Sequence, residues 1–278
     1  MDANSLEIEK LLEAYRAQGY VKIEGALSPE RVEALNRAID EVIAEEPPSL
    51  SYSLRNTVAR HPAIADLMDD ESILPLIVNI LGYNIQLHLS HLTVRHANPD
   101  RGENPSRKNS VGWHQDGPVP RFPRVGGVTP LYYLKVCYIL SDMTEPHRGN
   151  TKIVPNSGDA PFELVYKEGS RDEVEGELQM CGKPGDAFVF PQNLWHAAAP
   201  NLSDLTRRQL FIGYSYLWMR PLDYHKVEEH QLEGASPVRR QLLGQLGVDP
   251  FNYYVATRIE SGLPLKAYYT SNHLDDTE

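Results

Sequence analysis

Residues 185–217 read GDAFVFPQNLWHAAAPNLSDLTRRQLFIGYSYL. Gly185-Asp186 is turn chemistry, Ala187 to Phe190 is a short apolar run, and a second turn precedes Trp195-His196. Asn201, Ser203 and Asp204 then break the chain until Arg207 heads a longer apolar stretch. Runs this short, bounded by turn residues and rich in aromatic side chains, read as buried strands rather than helices. The stretch therefore predicts a β-rich core in which a histidine sits at the mouth of a turn and an arginine starts the following strand.

Upstream the same near-two period extends back to residue 85, with segments near 85–97, 131–140, 150–155 and 177–181 separated by Gly, Pro, Asn and Asp. Before residue 85 the period is 3.6. Leu6, Ile8, Leu11, Leu12 and Tyr15 outline one amphipathic helix stopped by Gly19, and Tyr20 to Glu24 reads as a short strand. Ser28 and Pro29 cap a second helix that ends near Pro47, and a third runs from about Ser72 to Leu81 before Gly82. Tyr224 to about Leu246 returns to a helical pattern interrupted at Gly234 to Pro237. Without an internal repeat or a Ser/Gly linker, the chain reads as one domain: a helical N-terminal region over residues 1–84, a β core over 85–220 and a C-terminal extension over 221–278. Two long connections, 98–112 and 117–130, are of the length expected for lids or binding loops.

The chain has 278 residues, 41% hydrophobic and 23% charged, with a net charge of −11. Such a field repels phosphate backbones and anionic surfaces, so no nucleic-acid partner and no membrane association are expected. No stretch reaches the 18 or more apolar residues of a membrane span, and residues 1–10 lack an apolar signal segment. Two cysteines, Cys137 and Cys181, in stretches that read as buried strands, make no disulfide framework; a reducing, cytoplasmic setting is expected. Nothing in the sequence sets the oligomeric state.

The chemistry-bearing candidates begin with His114-Gln115-Asp116. On a strand, residues i and i+2 share a face, so one segment can present an imidazole nitrogen and a carboxylate oxygen to one metal ion. Alone, this pair is also what a solvated turn before Gly117 looks like. His196 supplies a third donor, and Arg207 follows it by eleven residues. Two histidines and a carboxylate on one face of a metal leave three positions open, the arrangement of non-haem Fe(II) oxygenases. Two open positions can hold a bidentate 2-oxo acid and the third O2, while a strand-borne arginine offers a bidentate fork to a distal carboxylate. A metal-dependent hydrolase or isomerase on the same barrel is the alternative, and it leaves Arg207 without a cosubstrate. A catalytically silent binding barrel is the third.

The chain resembles the phytanoyl-CoA dioxygenase family of Fe(II)/2-oxoglutarate-dependent oxygenases. The likeness runs through WHQDG at 113–117, Leu140-Ser141-Asp142, Gly149-Asn150-Thr151 to Ser157, GDAFVF at 185–190, His196 and Arg207. It implies a double-stranded β-helix, or jelly-roll, core flanked by helices. It implies iron at His114, Asp116 and His196, with Arg207 on the 2-oxoglutarate carboxylate. The implied reaction converts 2-oxoglutarate and O2 to succinate and CO2 while oxidising a substrate C–H bond. Because Asp116 is present, no ligand position is left for a halide, and hydroxylation is expected over halogenation. Two departures border the substrate side: Pro146-His147-Arg148-Gly149 stands where relatives have Asn-Gly, and Pro155-Asn156-Ser157-Gly158 where they end in His.

Thr93 and Gln86, on the first long strand, are candidates for polar contacts to the cosubstrate, and Trp113 for a wall of its pocket. Alternation allows only one of Arg207 and Arg208 to face the interior, and the resemblance selects Arg207. His88, His91, His96, His147, His225 and His230 read as structural histidines rather than ligands. Residues 95–124 carry six Arg/Lys (95, 101, 107, 108, 121, 124) against three Asp/Glu (100, 103, 116). That local excess suits either a solvated, salt-bridged lid or a mouth that accepts anions, whether 2-oxoglutarate or a small-molecule substrate bearing a carboxylate or phosphate. Phe122, Tyr132, Tyr133, Tyr138 and Trp218 are candidates for an apolar pocket or for core.

Overall fold

In the computed structural model, which describes residues 3–97, 111–117, 123–170, 172–246 and 263–272, ten strands pair into two sheets, every pairing antiparallel. The strands are β1 (Val21–Ile23), β2 (Ser51–Arg55), β3 (Ile85–Arg95), β4 (Val111–His114), β5 (Tyr133–Ile139), β6 (Thr151–Ile153), β7 (Leu178–Gln179), β8 (Ala187–Pro191), β9 (His196–Ala198) and β10 (Arg207–Tyr216). The larger sheet has the order β1-β8-β5-β10-β3-β2 and the smaller β4-β9-β6-β7.

Alternation along the larger sheet separates two environments. Leu134, Val136 and Tyr138 of β5, with Leu210, Ile212 and Tyr214 of β10, point outward into an apolar cluster shared with the helices. Tyr133, Cys137 and Ile139, with Phe188, Phe190 and Phe211, point inward to a second cluster against the smaller sheet. Both faces are covered, which is why these strands are continuous apolar runs rather than alternating ones. The covering helices are α1 (Ala3–Gln18), α2 (Pro29–Ala44), α3 (Pro62–Ala65), α4 (Leu74–Leu81), α5 (Glu229–Leu232), α6 (Pro237–Leu242) and α7 (Pro264–Asn272). Helix α4 packs against β10, and α6 against β3. At the start of α2 the Ser28 side chain accepts from the Arg31 N–H at 3.3 Å, the expected cap worth about 1 kcal/mol.

The GDAFVF segment does structural work. The Asp186 carboxylate accepts from the Gly25 N–H at 3.0 Å and the Lys183 N–H at 3.1 Å and pairs with Lys22 at 3.0 Å, tying the edge of β1 to the turn before β8. Gly185 stands at φ +99°, where a Cβ would lie 2.6 Å from the Leu27 carbonyl oxygen, so no other residue fits.

Three expectations change. The chain from 51 to 55, inside the region read as helical, is strand β2: its Ser51, Ser53 and Arg55 pair with Arg95, Thr93 and His91, and only that pairing makes so polar a segment a strand. A strand the segment pattern did not include, β9, begins at His196, at the turn mouth where that histidine was expected. The helical reading of 224–246 reduces to α5 and α6 of four and six residues, because Gly234 and the Ser236-Pro237 cap interrupt it. Cys137 is buried and Cys181 half-buried, both free thiols. No described helix is long and apolar enough to cross a membrane. The loop residues Asp100, Arg101, Glu103, Arg107, Lys108, Arg121 and Phe122 lie outside the described residues, as does most of the C-terminal tail.

Candidate active site

Strands β4 and β9 lie side by side in the smaller sheet with His114 opposite His196, so two residues far apart in sequence become cross-strand neighbours. Their rings approach to 4.2 Å between centroids. Asp116 follows just past the end of β4, its N–H held by the Gln192 carbonyl at 2.9 Å. Its carboxylate stands 3.6 Å from His114 Nε2 and 3.5 Å from His196 Nε2. All three ligand atoms lie within 4.8 Å of one another, and among the described residues this is the one such group of His, Cys, Asp or Glu.

The donor chemistry fits a divalent transition-metal ion. His114 Nδ1–H donates to the Gly112 carbonyl and His196 Nδ1–H to the Leu194 carbonyl, each at 2.8 Å. These bonds fix the tautomer and leave each Nε2 lone pair facing the carboxylate. Burial, followed by the nearby Lys135 ammonium, pulls the His196 imidazole down to about 4, so it is neutral and ligand-ready at pH 7. Burial alone would raise the Asp116 carboxyl, but Lys135 and the two imidazoles outweigh it and hold the group well below the usual carboxylate range.

The triad opens onto a cavity of about 640 Å³ between the sheets. Arg207 lines it and is 3% exposed; its Nη1 donates to Thr93 Oγ1 at 3.0 Å, its Nη2 contacts Gln209 Oε1, and its Nε is buried without a partner. No described carboxylate pairs with it. Burial, then the neighbouring Arg95, pulls the guanidinium down to about 9, the signature of a cation that lacks its counter-ion. A ligand carboxylate would supply one, and the fork geometry suits it. Arg208 points the other way, to Asp40 at 2.7 Å, as alternation requires.

Thr93 thus lies where a cosubstrate contact was expected, while Gln86 and Trp113 do not. Gln86 is buried outside the cavity, with its amide donating to the Tyr216 carbonyl at 3.4 Å and to the Met219 carbonyl. It braces the chain after β10, because a bulge at Gly213/Tyr214 shifts the β3 register on its side of the sheet. Trp113 precedes His114 on a strand and so faces outward, where its indole donates to the Asp172 carbonyl at 3.0 Å and Lys152 covers its ring. His88 and His91 line the cavity without joining the triad.

Lys135 escaped the sequence reading. It sits on the inward face of β5, ion-paired to Asp116, with Nζ 3.0 Å from His196 Nε2. Its signal was the single charge inside the apolar run Tyr133 to Ile139, a residue type almost never buried without a purpose. Arg55 and Arg95 also reach the cavity, from β2 and β3.

Over residues 15–209 the sequence matches the model of the family described as phytanoyl-CoA dioxygenase (PhyH). It is 22% identical to an ectoine dioxygenase of Sphingopyxis alaskensis, over 73% of this chain and 74% of that protein. It is 25% identical to a probable alpha-ketoglutarate-dependent hypophosphite dioxygenase of Stutzerimonas stutzeri, over 81% of this chain and 85% of that protein. The fold superposes with a TM-score of 0.59 on the epimerase SnoN, crystallised with Fe3+, alpha ketoglutarate and nogalamycin RO, at 19% identity over 77% of this chain and 85% of that one. With the matched segment spanning most of the sequence and containing the triad and Arg207, the chain belongs to the phytanoyl-CoA dioxygenase family.

Proposed function

We propose that this 2-oxoglutarate-dependent non-haem iron enzyme hydroxylates an unactivated C–H bond of a small molecule. The observation that carries the reading is the pairing of a His114, Asp116, His196 donor set with a buried arginine, Arg207, that has no acidic partner among the described residues. Iron, 2-oxoglutarate and O2, when bound, would supply the oxidising chemistry, one oxygen atom going into succinate as CO2 leaves.

The chain's own residues prepare the site. His114, Asp116 and His196 hold the metal from one side, with both imidazoles oriented by main-chain carbonyls. Arg207 takes the distal carboxylate of the cosubstrate, and Thr93 and Gln209 fix the plane of its guanidinium. Phe211, Tyr133 and Leu89 line the cavity as an apolar wall that limits water in it, with Phe190 buried behind them. Asp116 keeps its ligand position filled, which supports hydroxylation over halogenation.

Oxidative rearrangement is the second reading, favoured by the likeness in fold to a protein named as an epimerase. Anaerobic addition of Fe(II) and 2-oxoglutarate should give a weak visible absorption band that Arg207→Ala removes. Losing one partner of a buried charge pair should weaken cosubstrate binding by about 3–5 kcal/mol. A succinate-release screen with product mass then separates the outcomes: a gain of one oxygen atom supports hydroxylation, and an unchanged mass supports epimerisation. Tight Zn(II) binding with no response to 2-oxoglutarate would instead indicate a hydrolase or isomerase.

A further inference from the structure

Among the described residues the cavity lining holds more cationic than acidic side chains. Its described lining includes Arg55, Arg95, Lys135, Arg207 and Arg220, against Asp116 as the one acid. Arg220 is exposed beside His225, and Arg55 stands on the edge strand within electrostatic reach of Asp223. Lys135 differs from both. Its side chain is 9% exposed, and its ammonium rests on Asp116 and His196, the same atoms a metal must take. A metal on His196 Nε2 and one Asp116 oxygen takes away the ammonium's imidazole contact and leaves it at most the other Asp116 oxygen. Its stem stays anchored on β5, with Nζ 4.8 Å from the Phe190 ring centroid and 5.9 Å from that of Phe211. A buried ammonium with a weakened counter-ion is costly, and the described lining holds no acid other than Asp116.

A second, independent feature lies at the same level of the sheet. Lys135 pairs with Gly213, and Gly213 with Leu89; the next residue of β3, His88, is the one the bulge leaves without a cross-strand partner. His88 is 5% exposed, lies tilted against the Tyr133 ring at 4.4 Å between centroids, lines the cavity and keeps a buried Nδ1 with no hydrogen-bond partner. Arg207 begins β10 six residues before Gly213, about 20 Å of strand at 3.3 Å per residue. The backbone of Lys135 therefore sits well away from Arg207 along the sheet, while its ammonium reaches the triad.

We propose that Lys135 and His88 hold an anionic group of the substrate, a carboxylate or a phospho-oxyanion, and thereby restrict the enzyme to small anions. The assignment rests on the iron and 2-oxoglutarate reading above. The ammonium supplies the charge and the imidazole a hydrogen bond, while the aromatic walls exclude competing water.

The test uses full-length protein loaded with Ni(II) and saturating 2-oxoglutarate, so that Arg207 is engaged and one metal position remains; the Lys135 and His88 variants then separate anion binding at these side chains from binding at the metal. Inorganic phosphate and propionate are titrated calorimetrically, with propionamide and propylamine as neutral and cationic controls. One or both anions bind, the controls do not, Lys135→Met and His88→Leu each weaken anion binding at least tenfold, and Lys135→Arg restores some of it. Which anion binds more tightly separates carboxylate from phospho-oxyanion substrates. The affinity of Lys135→Met for 2-oxoglutarate stays within about threefold of wild type. Equal anion binding by Lys135→Met, preference for propylamine, or loss of 2-oxoglutarate instead of the anion overturns the assignment. Should Lys135→Met fail to fold, His88→Leu and Lys135→Arg carry the same comparison. Wild-type protein that binds no 2-oxoglutarate refutes the oxygenase reading itself; protein that binds it but neither anion refutes the substrate class alone.

Discussion

Gly149 and Arg207 are in such close approach that a Cβ on Gly149 would lie 2.7 Å from Arg207 Cδ. The glycine also stands at φ +77°, a conformation that costs an L side chain about 1–2 kcal/mol. The short connection from Arg148 to Asn150 therefore forms one wall of the slot that aims the guanidinium. Gly149→Ala should weaken 2-oxoglutarate binding at least tenfold while Ni(II) affinity stays near wild type, as read by calorimetry. Equal loss of both would make Gly149 a residue of the general fold rather than of the arginine slot.

Asp116 supplies the one carboxylate of the triad, and neither imidazole can replace its charge. Asp116→Ala should weaken Ni(II) or Fe(II) binding by more than the roughly 10–100-fold seen when only a supporting outer residue is lost. Substrate-dependent succinate release should disappear with it. Full turnover in this variant would remove Asp116 from the ligand set.

Acid should destabilise the metal-free protein through its buried imidazoles. Burial pulls His88 from 6.5 down to about 4, with Asp116 opposing the shift. Between those values the unfolded chain binds a proton that the folded chain refuses. The associated stability is complete above pH 6.5 and declines as the pH falls toward about 4. Urea unfolding across that window should show the decline, and His88→Gln should flatten it by up to about 1.4 kcal/mol per pH unit. An unchanged slope would mean that His88 is not buried in its neutral form.

Gln86 braces the chain after β10, so its removal should affect stability and leave the cosubstrate alone. Gln86→Leu removes the donor to the Met219 carbonyl, while the Tyr216 carbonyl keeps the Met219 N–H, and should cost about 1–3 kcal/mol in urea unfolding. Its 2-oxoglutarate affinity should match wild type; a tenfold loss would return Gln86 to the cosubstrate site.

Much of the site is local enough to read from the chain. The i, i+2 placement of His114 and Asp116 and the alternation that separates Arg207 from Arg208 follow from the period of an extended strand. The same rule applied to Trp113 would have turned it away from the pocket, since it is the immediate neighbour of an inward histidine. Strand β2 was hidden because Ser51 to Arg55 has little apolar character and becomes a strand only against β3.

The sequence by itself determined the donor types, the near-two periodicity of a β core and the order of triad and arginine, because these depend on residue chemistry and on spacing within single segments. Only the tertiary structure decided which side chains meet. The register of β4 on β9 brought His196 to His114, the bulge beside Gly213 singled out His88, and the packing of two apolar sheets placed the Lys135 ammonium against Asp116. Cross-strand register and burial join residues far apart in the chain, and no local period encodes those distances.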